Sequence, residues 1–278
     1  METYAKVIAD SVSPLGCRLT TIEVQFPRFV LPQVLTHRMW SRSCESLRAR
    51  PTKSKITEVG DSPVVPVFAV NRKGMTAGDT LSDELQQKVR EVWLGAMEFC
   101  VGAAEELHQL GVAKQWANRL LEPFAYQKAV VTATDWGNFF RLRTADDAQP
   151  EIQELANKMK AALDGSKPKP VQVTAWSRGW HLPYFSEDLG NWVPSVMGDP
   201  LRISAGRCAR VSYTTHDGRR DPREDLRLSA DLVEKGHSNP FEHQATPAPD
   251  RAYYGNFFGW VSQRHQMEQS GQLPDPSG

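Results

Sequence analysis

Nothing in the 278 residues approaches the roughly 18 uncharged apolar residues that a membrane-spanning helix needs. The opening Met1-Glu2-Thr3-Tyr4-Ala5-Lys6 also lacks the basic-then-apolar order of a secretory leader, so a cytoplasmic chain is the expectation. Cysteine is scarce. Cys17, Cys44, Cys100 and Cys208 stand far apart with no Cys-x-x-Cys pair, which excludes a zinc knuckle and a disulfide framework and leaves reduced thiols. The histidines form no His-Glu-x-x-His pattern, and there is no Gly-x-Gly-x-x-Gly or Walker loop, so no metal site is expected. An excess of one charge is missing too. With 33 Lys and Arg against 33 Asp and Glu, the chain carries no overall field for coating nucleic acid or an anionic membrane. At 40% hydrophobic and 24% charged it is not disordered, and its length allows one large domain or two modest ones.

What is present has clear periodicities. Ile22, Val24 and Phe26 alternate with polar neighbours as in a half-buried strand that Pro27 ends. From Leu81 to Leu110, apolar residues at 81, 85, 89, 92, 96, 99, 103, 107 and 110 step by three and four, which predicts a long amphipathic helix stopped by Gly111. The β-branched run Val130, Val131, Thr132, Thr134 suits a short strand. A second helical pattern from about Asp135 to Leu163 carries Trp136, Phe139, Ile152, Leu155 and Met159, with a break near Asp146 to Pro150 and a stop at Gly165. Residues 164–200 are rich in Pro, Gly, Ser and Trp and read as a long excursion. A new unit starts at Leu201, with a charged helix from about Asp221 to Lys235. The tail after Gln266 reads as frayed.

The zero net charge conceals local concentration. Between Arg28 and Lys55 there are seven basic residues and one acid, Glu45, and over 202–223 six arginines face two acids. Arginines fork onto phosphate oxygens and serine hydroxyls complete an anion cradle, so this chemistry suits a nucleotide or a flavin diphosphate. A solvated basic face is the plainer alternative.

The order of residues goes further. Gln33-x-x-Thr36-His37-Arg38-x-x-Ser41-x-Ser43-x-x-Ser46-x-Arg48 resembles the signature of the flavin-dependent thymidylate synthases, the ThyX family, usually Gln-x-x-Arg-His-Arg-x-x-Ser-x-Asn-Glu-x-Ser-x-Arg. Arg119-Leu120-Leu121-Glu122-Pro123 is similar to its Arg-x-x-Leu-Pro turn. Asn138-Phe139-Phe140-Arg141-Leu142-Arg143 with Ala148-Gln149-Pro150-Glu151-Ile152 is similar to its Asn-Phe-x-x-Leu-Arg and Ala-Gln-x-Glu-Ile helix. Arg210-Val211-Ser212 and Gly236-His237-x-x-Pro240-Phe241-Glu242-His243 are similar to a pair of blocks that in most members precede the His-Arg motif and here follow it. The chain thus resembles a permuted, phage-type member, in which the 201–246 unit is expected to pack beside the strand at 20–26.

The resemblance implies an α+β fold, a twisted, mainly antiparallel sheet flanked by long helices, in a single catalytic domain over 1–278 with parts at 1–163, 164–200 and 201–265. It implies reductive methylation at C5 of a uridine 5′-monophosphate, dUMP or UMP, with FAD as cofactor and methylenetetrahydrofolate and NAD(P)H as co-substrates. It also implies a homotetramer with flavin sites shared between subunits. A ribonucleotide substrate would match the variant used in polyoxin-type nucleoside antibiotic assembly. By matching position, His37, Arg38, Asn138, Ser212, Asn239 and Glu242 fall where the family holds flavin, and Gln33, Ser46, Arg48, Arg119 and Arg143 where it holds the nucleotide. Arg143, Ser46 and His237 fall at catalytic positions, with Arg48 and Arg119 expected to clamp a phosphate.

Departures bear on substrate choice. Thr36, Ser43-Cys44, Thr132-Ala133-Thr134 and Asn239 replace the usual Arg, Asn-Glu, Asn-Ala-Arg and Thr. Ser43, Leu47 and Arg50 differ even from the permuted subgroup, which suggests an altered nucleotide pocket. Cys44 beside Arg38, Arg42 and Arg48 raises the alternative of a low-pKa thiolate nucleophile. A further alternative is a non-catalytic nucleotide- or RNA-binding protein that keeps only the basic cradle.

Overall fold

A computed structural model describes residues 1–74, 76, 78–171, 179–185, 198–211 and 221–273. Strands β1 (Tyr4–Val12) and β2 (Arg18–Pro27) form an antiparallel hairpin. The chain then makes a short helix α1 (Leu31–Leu35), edge strand β3 (Ser41–Cys44) and helix α2 (Thr52–Asp61). Helix α3 (Asp83–Gln109), a short α4 (Lys114–Ala117) and a 3-10 turn over Asn118–Phe124 lead to β4 (Tyr126–Ala133). Helices α5 (Gly137–Arg143) and α6 (Pro150–Asp164) and the two-residue β5 (Lys169–Pro170) follow. The sheet order is β3-β4-β2-β1-β5, antiparallel except for β5 beside β1, with Ile22 opposite Val131 and Ser43 opposite Val130. The expected α+β class, with a mainly antiparallel sheet, is what the chain adopts.

The strand at 18–27 corrects the half-buried expectation, because both of its faces are covered. On one face Ile22, Val24, Phe26, Ala129, Val131 and Ala133 meet Ile152, Leu155, Ala156 and Met159 of α6 together with Trp40, Trp136 and Phe139. Burying such side chains contributes about 1.5–3 kcal/mol each, so this layer is a main source of stability. The opposite face is closed by the C-terminal part: α7 (Asp199–Ala209), α8 (Pro222–Glu234), β6 (Ala245–Pro247), β7 (Tyr253–Tyr254), β8 (Phe257–Phe258), β9 (Trp260–Ser262) and α9 (Gln263–Gln269). There Val130 packs with Tyr184, Cys208 and Val211, and Cys17 and Leu19 with Ala245, Phe257 and Trp260. The 201–246 unit therefore does pack beside the strand at 20–26. Helices α7 and α8 approach so closely that a Cβ on Gly206 would sit 2.4 Å from the Asp225 carbonyl oxygen, which is why glycine stands there.

Two further expectations change. The 81–110 pattern does form a helix, with Gly111 at φ +77° just beyond it. Its regular apolar positions Leu85, Val92 and Phe99 face solvent, however, because Trp93, Met97, Cys100 and Ala104 on another side take the contact with α2 and the 118–124 turn. The tail also holds longer than expected: Met267 and Leu273 are buried against α7 and α8. Of the 164–200 excursion, residues 172–178 and 186–197 lie outside the described residues, while His181 is buried against the sheet.

Candidate functional site

The sheet edge sets up the site. In β3, Ser41 and Ser43 point into the structure, and the chain leaves the strand at Glu45 to form a turn closed by the Ala49 amide on the Ser46 carbonyl at 3.0 Å. Buried side chains hold this loop from beneath: Gln127 donates to the Glu45 carbonyl at 3.0 Å, and Asn118 to the Leu47 and Arg50 carbonyls at 2.8 and 3.0 Å. With the backbone so anchored, Ser46 and Arg48 face a cleft of about 770 Å³. Ala113, Lys114 and Gln115 form another wall, and His237 comes from beyond α8. His237 sits there because α8 ends in a left-handed Gly236 (φ +72°) and the His237 amide turns back onto the Leu232 carbonyl at 2.8 Å. The helix-ending role and the cleft-lining role coexist in one residue.

Arg48 is exposed and makes no hydrogen bond or ion pair among the described residues, while Lys114 donates to the Ala49 carbonyl at 3.2 Å. A free guanidinium, an ammonium, a hydroxyl and an imidazole around a space of this size fit a phosphate-bearing ligand, flavin dinucleotide or mononucleotide. Lys114 lies outside every matched block. Its one sequence signal is a lone cation in the turn between Gly111 and Arg119.

A second cluster gathers Gln33, His37 and Arg143. Arg143 Nε donates to His37 Nε2 at 3.2 Å, and its terminal nitrogen to the Gln33 side-chain oxygen at 3.3 Å. His37 stacks on Trp40 and meets Phe139 edge-on. Burial, with Arg143 and Arg42 adding to it, pushes the His37 pKa down to about 4, so the imidazole is neutral and accepts from Arg143. Arg143 thus arrives in the cluster as the charged member.

The other expected residues scatter. Arg38 is exposed, without a bond among the described residues. Arg119 pairs with Glu122 at 3.2 Å and does not line the cleft with Arg48, so the two do not form a joint clamp here. Asn138 accepts from Arg141, Asn239 donates to the Arg42 carbonyl at 3.0 Å, and Glu242 is tied to Arg264. Ser212 lies outside the described residues. The alternative of a low-pKa Cys44 thiolate is disfavoured, because burial pushes this thiol up to about 11 despite Arg42 and Arg28. The three unusual residues also miss the cleft wall, since Ser43 bonds His243, Leu47 is buried and Arg50 joins Glu45 and Glu58.

Residues 7–169 match the sequence model of the Thy1 family, described as thymidylate synthase complementing protein, and that is more than half of the chain. The chain belongs to this family. Within the Thy1 region lie both the Ser46–Arg48 loop and the Gln33–His37–Arg143 cluster. A flavin-dependent thymidylate synthase of Thermosipho africanus (strain TCF52B) is 30% identical over 144 residues, 49% of this chain and 59% of that protein. The chain therefore matches less than two thirds of that relative's length. Crystal structures of the UMP/dUMP methylase PolB from Streptomyces cacaoi, bound with 5-Br UMP and 5-Br dUMP, have TM-scores of 0.49 and 0.47. Their identities are 21% and 20%, over 58% of this chain and 88% and 90% of theirs. Among the described residues no helix is long and apolar enough to cross a membrane, and no group of His, Cys, Asp and Glu could hold a metal ion.

Proposed function

We propose that this Thy1 protein methylates C5 of a uridine 5′-monophosphate, dUMP or UMP, with FAD as cofactor, methylenetetrahydrofolate as one-carbon donor and NAD(P)H as reductant. The observation that carries the reading is the unpartnered Arg48 guanidinium beside Ser46, Lys114 and His237 in a cleft of nucleotide size. A bound flavin supplies the hydride chemistry that no side chain can. This chain's part is to bind and orient. Arg48 and Ser46 hold phosphate oxygens, with Lys114 adding charge. Arg143, kept beside neutral His37 and Gln33, presents a fixed positive charge where negative charge develops on a pyrimidine ring attacked at C6. His37, Arg38, Asn138, Ser212, Asn239 and Glu242 are assigned to the flavin, and Arg119 to the nucleotide by approach from its exposed turn. His237, at the cleft wall, is assigned to catalytic positioning.

The whole of 1–278 acts as one catalytic domain in this reading, in the cytoplasm, as a homotetramer joined in part through the exposed apolar face of α3. Purified protein should carry the absorbance of an oxidised flavin and, with folate and reductant, should convert dUMP or UMP to its 5-methyl product. Colourless protein that methylates neither nucleotide after flavin is added would overturn the reading and leave a nucleotide- or RNA-binding protein.

A further inference from the structure

We infer that Arg50 and Glu45 are positioning residues for phosphate binding at Arg48, acting through a buried quartet of charges with Lys55 and Glu58; this rests on the nucleotide reading of the cleft. Lys55 is fully buried, with Nζ 2.5 Å from one Glu58 oxygen and 3.3 Å from the Tyr126 carbonyl. The other Glu58 oxygen accepts from Arg50 at 2.7 Å, and a second Arg50 nitrogen lies 3.3 Å from Glu45. The side chains of Glu58 and Glu45 are 8% and 4% exposed, and that of Arg50 is 17%. Two positive and two negative charges make the group neutral. Out of water such a set holds together only while every member has its counter-charge, and removing one leaves a buried charge uncompensated.

Placement gives the quartet its consequence. Glu45 stands where β3 ends, and Arg50 stands where the chain enters α2, so the two loop members bracket Ser46 and Arg48. Lys55 and Glu58, one turn apart on α2, tie both ends of the loop to one rigid element. The Asn118 bonds hold the Leu47 and Arg50 carbonyls from beneath but leave the Glu45 end to Gln127 and the sheet. Arg48 has no side-chain partner of its own, so the direction of its guanidinium follows from the loop backbone. With its side-chain ties to α2 gone, the loop would keep only the Gln127 and Asn118 bonds to its carbonyls. The peptides between them would turn more freely and carry Arg48 with them, and a fork aimed at phosphate oxygens tolerates little misplacement. Arg50, although part of the cationic segment, is thereby taken out of direct phosphate contact and given to holding its neighbour.

The charge-balanced double variant Glu45→Gln/Arg50→Met keeps the Lys55–Glu58 pair and avoids a lone buried charge. Its affinity for dUMP, UMP and uridine would be measured by ligand-observed NMR on the purified protein, with its thermal midpoint recorded alongside. The expected result is about tenfold weaker binding of the monophosphates, the scale of one charged hydrogen bond, with uridine binding unchanged. Arg50→Lys, which keeps the charge, should recover part of that loss. Parental monophosphate affinity in the double variant overturns the inference, and so does an equal loss for uridine, which marks general damage to the fold. Arg48→Met in the same assay separates the two proposals: if it leaves monophosphate binding unchanged, the cleft reading itself fails.

Discussion

The Thr132 hydroxyl lies 2.8 Å from Nδ1 of His243, joining the middle of the sheet to a residue 111 positions along the chain. Nε2 of the same ring lies 2.9 Å from the Ser43 hydroxyl, which also accepts from Asn239 at 3.3 Å. On the other side, Thr132 meets Thr21 at 2.7 Å, Thr21 meets His181 Nε2 at 2.8 Å, and His181 Nδ1 meets Ser11 at 2.8 Å. A continuous row of buried hydroxyls and imidazoles thus crosses four strands and latches both the 181 segment and the C-terminal part onto the sheet. Replacing His243 by Ala should remove one hydrogen bond from each of the Thr132 and Ser43 hydroxyls, leaving them on Thr21 and Asn239, at about 0.5–1.5 kcal/mol per bond lost. Urea unfolding of His243→Ala should show a lower midpoint with the slope retained, and an unchanged midpoint would show that the latch adds nothing to stability.

The latch also makes stability depend on pH. Burial pushes His181 and His243 down to about 3, with Asp10 pulling His181 back up and His243 pushing it further down. His37, beside Arg143 and Arg42, falls to about 4. An unfolded histidine titrates near 6.5, so between about pH 6.5 and these folded values the unfolded chain binds protons that the folded chain does not. The stabilisation is complete above about pH 6.5, declines as pH falls, and flattens once the folded groups titrate near 3. Unfolding free energy measured in steps from about pH 7.5 to about pH 4.5 should therefore fall, and His243→Gln should reduce that slope by about one third by removing one of three titrating sites.

Cys44 offers a test of chemistry rather than stability. Its burial raises the thiol to about 11, so the thiolate fraction at neutral pH is minute and attack on a pyrimidine by this sulfur is disfavoured. Cys44→Ala should retain methylation within a few-fold of the parent, and the folded protein should resist iodoacetamide at this position. Loss of methylation by about 100-fold or more, with nucleotide binding intact, would restore the thiol as nucleophile.

Two of the five sheet strands, β2 and β4, were legible because they carry dense β-branched and alternating runs, with Pro27 closing β2 and Gly165 closing α6, whereas β1, β3 and β5 carry no such run. Motif order names Ser46, Arg48 and His237 individually, and the structure brings the three to one cleft, although the sequence pairs Arg48 with Arg119 instead. The sequence did not reveal which face of α3 meets the core, since Leu85, Val92 and Phe99 repeat as regularly as a buried stripe would, and nothing in the periodicity distinguishes a neighbour from solvent. Nor did it reveal that Arg50 and Ser43 serve the interior. An arginine in a cationic run looks like a phosphate ligand until Glu45 and Glu58 are seen to enclose it, and those partners depend on how α2 folds back against the loop. His181 was equally hidden, because a single histidine in a Trp- and Pro-rich stretch carries no periodic signal at all.

The exposed face of α3 is where the assembly proposal can be tested. Val92 and Phe99 are 74% and 79% exposed and Leu85 is 47% exposed, at seven-residue intervals on one side of the helix. Gly95 and Gly102 follow Val92 and Phe99 by three residues each, with open space where a Cβ would stand, which lets another helix come close. Two such stripes related by a two-fold axis would each cover the other, whereas a solitary chain leaves both rings and branches in water. Val92→Glu with Phe99→Glu places like charges across that contact and leaves Met97 and Ala104, which face the core, untouched. Analytical ultracentrifugation should find the parent as a tetramer and the double variant as a smaller species with parental helix content by circular dichroism. A parent that sediments as a monomer at micromolar concentration would remove α3 from any assembly, and a variant with parental mass would move the contact to another face.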